Sequence, residues 1–136
     1  MSYLLDTNVC IALINGTSNE VRKRYFKAGR GGTVPFISSI VAHELWYGVA
    51  KSGRVAQNAN RLAAFLSRAV EVIDYTEQDA RAAGEIRAEL ERLGVRIGEY
   101  DMLIAGQAFS RNLVLVTANT REFERVKGLV VEDWTV

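Results

Sequence analysis

Leu113-Val114-Leu115-Val116, followed at once by Thr117-Ala118-Asn119, is the stretch that decides the fold. Four consecutive apolar residues are too few for a helix and suit a strand covered on both faces. A strand buried on both sides needs a layer above and a layer below it, the condition of a parallel sheet in an α/β domain. Working outward, Thr120 to Arg125 reads as a short helix and Leu129 to Val131 as a last strand. Upstream, Leu103 to Phe109 continues a helix that opens near Asp101. Thr76 to Leu93 is the clearest helix, with a capping-box pattern in Thr76-Glu77-Gln78-Asp79 and Gly94 as its natural stop.

The first half repeats the alternation. Tyr3 to Leu5 is a short apolar strand, and Asn8 to Ile14 is a helix stopped by Asn15-Gly16. Thr17 to Ala28 is charged and amphipathic, and Gly29, Gly31 and Gly32 mark a loop. Thr33 to Ile37 is a strand, with Ser38 or Ser39 capping a helix over Ile40 to Lys51. Arg54 to Arg68 is a further helix and Val70 to Ile73 a short strand. Five strands alternating with helices predict one α/β domain over residues 1–136, its central sheet mostly parallel and five-stranded. A chain of 136 residues buries roughly two-thirds of the surface it exposes unfolded, enough to need no staples.

Composition narrows the class. The chain is 49% hydrophobic and 24% charged, and its net charge of +1 does not by itself announce a nucleic-acid binder. Arg22, Lys23, Arg24, Lys27 and Arg30 cluster, either as a solvated helix face or as phosphate contacts. Cys10 is the single cysteine, which rules out an internal disulfide and a cysteine zinc cluster and suits a reducing compartment. The N-terminus has no basic region and too short an apolar run for a signal peptide, and no stretch approaches 18 consecutive apolar residues. The expectation is a cytoplasmic protein with no membrane span.

Ligands of open α/β sheets bind outside the carboxyl ends of the strands. Asp6-Thr7-Asn8 follows the first strand, Ser38-Ser39 the second with Glu44 a turn and a half later, and Thr117-Ala118-Asn119 the fourth. Asp101 stands at the start of the helix that leads into that fourth strand. Three carboxylates and an amide at one rim form an all-oxygen site, which selects magnesium or manganese over zinc or copper. A divalent ion relieves the repulsion of crowded carboxylates and activates water toward a phosphate, especially as a pair about 4 Å apart.

Each residue also has a plainer reading. Asp6 suits an N-cap, Asp101 a helix N-terminus, and Asn119 a cap with Glu122 at its third position. Glu44 sits among Val41, Leu45 and Trp46, where a carboxylate needs a partner. Glu85 lies four residues after Arg81, as a surface ion pair does. His43 reads as structural or interface, Cys10 as a buried small hydrophobe, Trp46 and Tyr47 as core or partner-facing, and Trp134 as a packing anchor.

Four segments in this order resemble PIN-domain ribonucleases: Leu4-Leu5-Asp6-Thr7-Asn8, Ser38-Ser39-Ile40-Val41-Ala42-His43-Glu44-Leu45, Ile97 to Ala105, and Leu115 to Phe123. The last of these, with Val126 to Trp134, is similar to the VapC toxin branch. The resemblance covers essentially the whole chain and implies a three-layer α/β/α sandwich. It implies that Asp6, Glu44 and Asp101 hold the metal and that Asn119 matches a fourth position that is often aspartate. It further implies that Thr7, Asn8, Ser39 and Thr117 orient ligands or water, with Glu85 at the edge of the site. Gly98-Glu99-Tyr100-Asp101 departs from the family, which often has proline or asparagine where Glu99 and Tyr100 stand.

The implied activity is magnesium-dependent RNA cleavage, manganese being an alternative ion, leaving a 3′-hydroxyl and a 5′-phosphate. The implied substrate is transfer RNA, initiator transfer RNA favoured, cut in the anticodon stem-loop. Arg22, Lys23, Arg87, Arg96, Arg121 and Arg125 are the candidates for holding its backbone. The implied partners are a VapB-like antitoxin, operator DNA only through that antitoxin, and a second copy of the chain. Ile11, Ile14, Leu45 and Trp46 are the candidate surfaces for them. Two rivals are a haloacid-dehalogenase-type phosphotransferase, which wants an aspartate where Asn8 stands, and a PIN fold that binds without cutting.

Overall fold

The structure is a computed structural model and describes residues 2–136. Its elements in chain order are β1 (Tyr3–Leu5), α1 (Thr7–Asn15), α2 (Asn19–Ala28), a 3-10 turn (Gly29–Gly31), β2 (Phe36–Ser38), α3 (Ser39–Ala50) and α4 (Val55–Arg68). They continue as β3 (Glu71–Ile73), α5 (Glu77–Arg92), α6 (Glu99–Ser110), β4 (Val114–Val116), α7 (Thr120–Phe123) and β5 (Val131–Glu132). The sheet runs β3-β2-β1-β4-β5, and every pairing is parallel. The three residues of β4 pair with β1 as Tyr3↔Val114, Leu4↔Leu115 and Leu5↔Val116. Leu4, Leu5, Leu115 and Val116 are fully buried, so the apolar run at 113–116 is covered on both faces as its composition predicts.

From β1 the chain steps outward to β2 and β3, then crosses back over β1 to β4 and β5. Right-handed crossovers therefore put α1 to α4 on one face and α5 to α7 on the other, which makes three layers. Most helices start where the sequence places a cap. Asp6, Ser18, Ser38 and Thr76 each accept a backbone N–H of the helix that follows, and Thr76 with Asp79 completes a capping box. Asn119, which the sequence also offers as a cap, makes no side-chain cap bond to α7, and Arg54 and Gly98 make none to α4 and α6. No helix among the described residues is long and apolar enough to cross a membrane.

Several boundaries differ by a residue or more from the sequence reading, and three of them bear on the sheet or the site. β2 is Phe36–Ser38 rather than 33–37, because Pro35 has no N–H for the ladder and restrains Val34 before it. β5 is Val131–Glu132, since Leu129 is spent in a turn, donating to the Val126 carbonyl at 3.3 Å, beside Gly128 at φ +86°. α6 starts at Glu99, two residues before Asp101, which leaves that aspartate inside the first turn. Trp134 anchors the C-terminal end as expected. Its indole meets Tyr3 edge-on at 5.3 Å and donates to Glu132 at 3.0 Å.

α5 and α6 form an antiparallel hairpin. Asp79, buried near the start of α5, accepts bonds from Gln107 (2.9 Å), Ser110 and Arg111 (3.0 Å) near the end of α6. Beside that network the helices touch at Gly106, where an added Cβ meets Ala83 backbone at 2.7 Å. Gly106→Ala is expected to force the helices apart and lower stability by about 1–3 kcal/mol, read by urea unfolding. A variant as stable as the parent would show that the close approach is not required.

Candidate functional site

The sheet changes direction of travel at β1, so the crevice lies outside the carboxyl ends of β1 and β4. Asp6 is the residue after β1, and its amide donates to the Val116 carbonyl at the end of β4, at 3.0 Å. This bond sets Asp6 beside Thr117. The carboxylate is buried; its Oδ1 accepts the Val9 amide at 2.9 Å, and the Thr117 hydroxyl donates to it as well. Burial pushes the Asp6 carboxyl above its ordinary range, against the pull of those bonds, and the charge of Glu44 adds to the push.

Glu44 comes from α3 and is half-buried. The hydroxyl of Thr7, first residue of α1, donates to its Oε1 at 2.7 Å. Asp101 comes from the first turn of α6 and is also half-buried. Its carboxyl is pushed up to about 6 by burial first, then by the negative charges of Glu122, Asp6 and Glu44, and by a hydrogen bond shared with Glu122. The sequence reading had assigned Glu122 to a helix cap; α7 instead turns it inward to Asp101. Its position on the short helix after β4, where ligands gather, was the available signal. Asn119 donates its amide to Glu122 Oε2 at 3.3 Å.

Four carboxylates thus gather at the crevice, where Asp101 feels the charge of the other three and shares a hydrogen bond with Glu122. Among the described residues, no three Asp, Glu, His or Cys side chains form a ready metal cage. The donor set still suits a hard cation. It is all oxygen, and burial together with the neighbouring carboxylates raises both aspartates, a cost that a divalent ion would offset.

The other candidates divide. Thr7 and Thr117 reach the carboxylates, and the Asn8 backbone N–H donates to Asp6 while its side chain lies in solvent. The Ser39 hydroxyl is taken by the Tyr75 amide at 3.2 Å, so it ties α3 to the segment after β3 and not to the acidic site. Glu85 is paired with Arg81 at 3.3 Å, in a groove between α5 and the 125–127 stretch that holds none of Asp6, Glu44 and Asp101. Cys10 is fully buried, and burial followed by the charge of Asp6 pushes its thiol well up, so it packs as a hydrophobe. In the basic cluster, Lys23 meets Glu20, Arg24 meets Glu132 and Arg22 lies over Phe26, which fits an ordinary surface face.

Next to the site, α1, α3 and α4 enclose an apolar groove of about 240 Å³. Ile11, Ile14, Leu45, Val49 and Leu62 line it, with Glu44 and Arg61 among its polar members. Leu45, expected on a partner surface, is a core residue that only floors this groove, whereas Ile11 and Trp46 are exposed. Its place on α3, one position after Glu44, turns it toward the sheet.

Residues 3–129 match the family described as PIN domain. The tRNA(fMet)-specific endonuclease VapC of Shigella flexneri is 45% identical over 135 residues, covering 99% of each chain. A crystal structure of DNA-bound VapBC from Salmonella typhimurium has a chain 46% identical, with a TM-score of 0.89 over 98% of both chains. VapBC2 from Rickettsia felis, bound to a promoter DNA fragment, has one 40% identical, with a TM-score of 0.90 over 98% of this chain and 99% of that one.

With a folded value near 6 against roughly 4 for a free aspartate, Asp101 favours the fold most when protonated. That contribution is complete below about pH 4 and is lost as pH rises through about 6. The metal-free protein is expected to lose melting temperature across this window, and Asp101→Asn to flatten the decline. Parallel melting curves for the two proteins would reject the assignment.

Proposed function

The chain belongs to the PIN-domain family, in its VapC ribonuclease branch, and on that footing we propose that it is a metal-dependent endoribonuclease that cuts initiator transfer RNA in the anticodon stem-loop. The observation that carries the proposal is the meeting of Asp6, Glu44, Asp101 and Glu122 at the β1–β4 crevice, with Asp101 pushed up to about 6. Asp6, Glu44 and Asp101 would hold the ion, magnesium or manganese by their oxygen chemistry, with Glu122 beside them to complete the set. Once bound, such an ion supplies a polarised water and offsets charge on the phosphate under attack.

The remaining residues act on those carboxylates. Thr7 orients Glu44, and Thr117 and the α1 amides orient Asp6. Asn119 holds Glu122 from the far side, so an amide at this position supports an acid in place of being one. Hydrolysis breaks a phosphodiester bond to leave a 3′-hydroxyl and a 5′-phosphate. The Shigella relative's name supports initiator transfer RNA as the substrate, and loops of such RNA expose bases that a helix hides. Nothing here favours a phosphotransferase, since Asn8 stands where its second aspartate belongs.

The same reading makes the chain a toxin held in check by a VapB-like antitoxin, with operator DNA read by the antitoxin; the solved VapBC relatives from Rickettsia felis and Salmonella typhimurium are DNA-bound complexes. The groove of α1, α3 and α4 suits an apolar segment of that partner, because it shares Glu44 with the site. A second copy of the chain and a cytoplasmic setting complete the proposal.

Purified protein should cut initiator transfer RNA with magnesium and not with EDTA. Asp6→Asn, Glu44→Gln and Asp101→Asn should each lose more than the roughly 10–100-fold typical of residues that merely orient metal ligands. Folded wild type that leaves RNA intact would refute the nuclease reading. Ile11→Asp should weaken inhibition by the antitoxin while RNA cleavage continues; full inhibition of this variant would exclude the groove as the docking surface.

A further inference from the structure

Two side chains at the mouth of the site have no part in the scheme above. His43 immediately precedes Glu44 on α3, and Tyr100 immediately precedes Asp101 on α6. Neighbouring helix positions project about 100° apart, so each ring flanks its carboxylate and does not share its direction. Both residues are exposed, Tyr100 by 46%. They nonetheless meet across the gap between the two helices. The ring centroids lie 5.8 Å apart with planes tilted by 58°, and His43 Nε2 is 3.3 Å from the Tyr100 hydroxyl.

A hydrogen bond between two exposed groups adds little to stability, so bracing the helices is a weak reason for this pair. What the pair does is fix two rings, tilted and not stacked on each other, with ring surface left in water. That surface lies between the elements that carry Glu44 and Asp101. Every nucleobase has a π face, and stacking on an exposed aromatic holds a single-stranded base whatever its identity. Unstacked bases are what an RNA loop presents.

We propose that His43 and Tyr100 form a nucleobase-stacking subsite, which holds the base of a nucleotide flanking the scissile bond and so sets the RNA in line with the carboxylates. The inference rests on the ribonuclease reading. The two residues are positioning residues for the substrate and take no part in holding the ion.

The test uses the full chain, magnesium and initiator transfer RNA, with matching substrates that are abasic at the nucleotide 5′ or 3′ of the cut. Tyr100→Ala is expected to raise KM about 5- to 100-fold on the intact substrate, the range of one lost base–aromatic stack, with a smaller change in kcat. Tyr100→Phe keeps the ring without its hydroxyl and should recover most of that loss. On one abasic substrate the Tyr100→Ala penalty should vanish, because the base it would have stacked is already gone. Penalties equal on all three substrates, or Phe as harmful as Ala, would mean a brace between helices and overturn the subsite. An unchanged KM beside normal wild-type cleavage would overturn it too, as would an effect confined to antitoxin affinity. Wild type that cuts no RNA would overturn the subsite and the nuclease reading together.

Discussion

The pairing of β1 with β4 is the constraint on which the rest depends. Its register sets Leu5 opposite Val116, and the Asp6 amide closes the ladder on the Val116 carbonyl. That one bond places a buried aspartate and a buried threonine side by side at the point where the sheet reverses its direction of travel. A slip of one residue would turn every side chain of β4 to the opposite face. Leu4, Leu5, Leu115 and Val116 are all fully buried, so the pairing also lies at the centre of the apolar core.

Two aspartates on neighbouring helices show how the fold separates structure from chemistry. Asp79 and Asp101 both lose water to burial, which raises a carboxyl. Asp79 is answered by Arg111, Ser110, the Thr76 amide and Gln107, which together hold it well below the usual carboxylate range. Asp101 is answered by further negative charge from Glu122, Asp6 and Glu44, which holds it up. A buried carboxylate with a cation partner fastens two helices. One surrounded by its own kind lacks a positive charge, which is the property expected of a cation-binding site.

The fastening serves the site. The Asp79 network and the Gly106–Ala83 contact lock α6 against α5, and α6 presents Asp101 in its first turn. The caps serve it on the other side, where Asp6 starts α1 and Thr7, one residue later, steadies Glu44 on α3. Capping and ligand presentation are therefore one arrangement at Asp6. The plainer reading of that residue and the functional one are compatible.

The sequence by itself determined the alternation of strands and helices, most of the caps, and the carboxylates at 6, 44 and 101. These are local matters: apolar runs of strand length, a Ser, Thr or Asp before a helix, polar residues just past a strand. Only the tertiary structure decided which neighbours those residues meet. Glu122 joined the acidic group because the single turn of α7 after β4 brings it to Asp101, while Ser39 and Glu85 left it for Tyr75 and Arg81. Leu45 went to the core, and His43 found Tyr100 57 residues away. Local pattern sets a residue's element and face; the packing of one element on another sets its partner, and charge and hydrogen bonding are properties of partners.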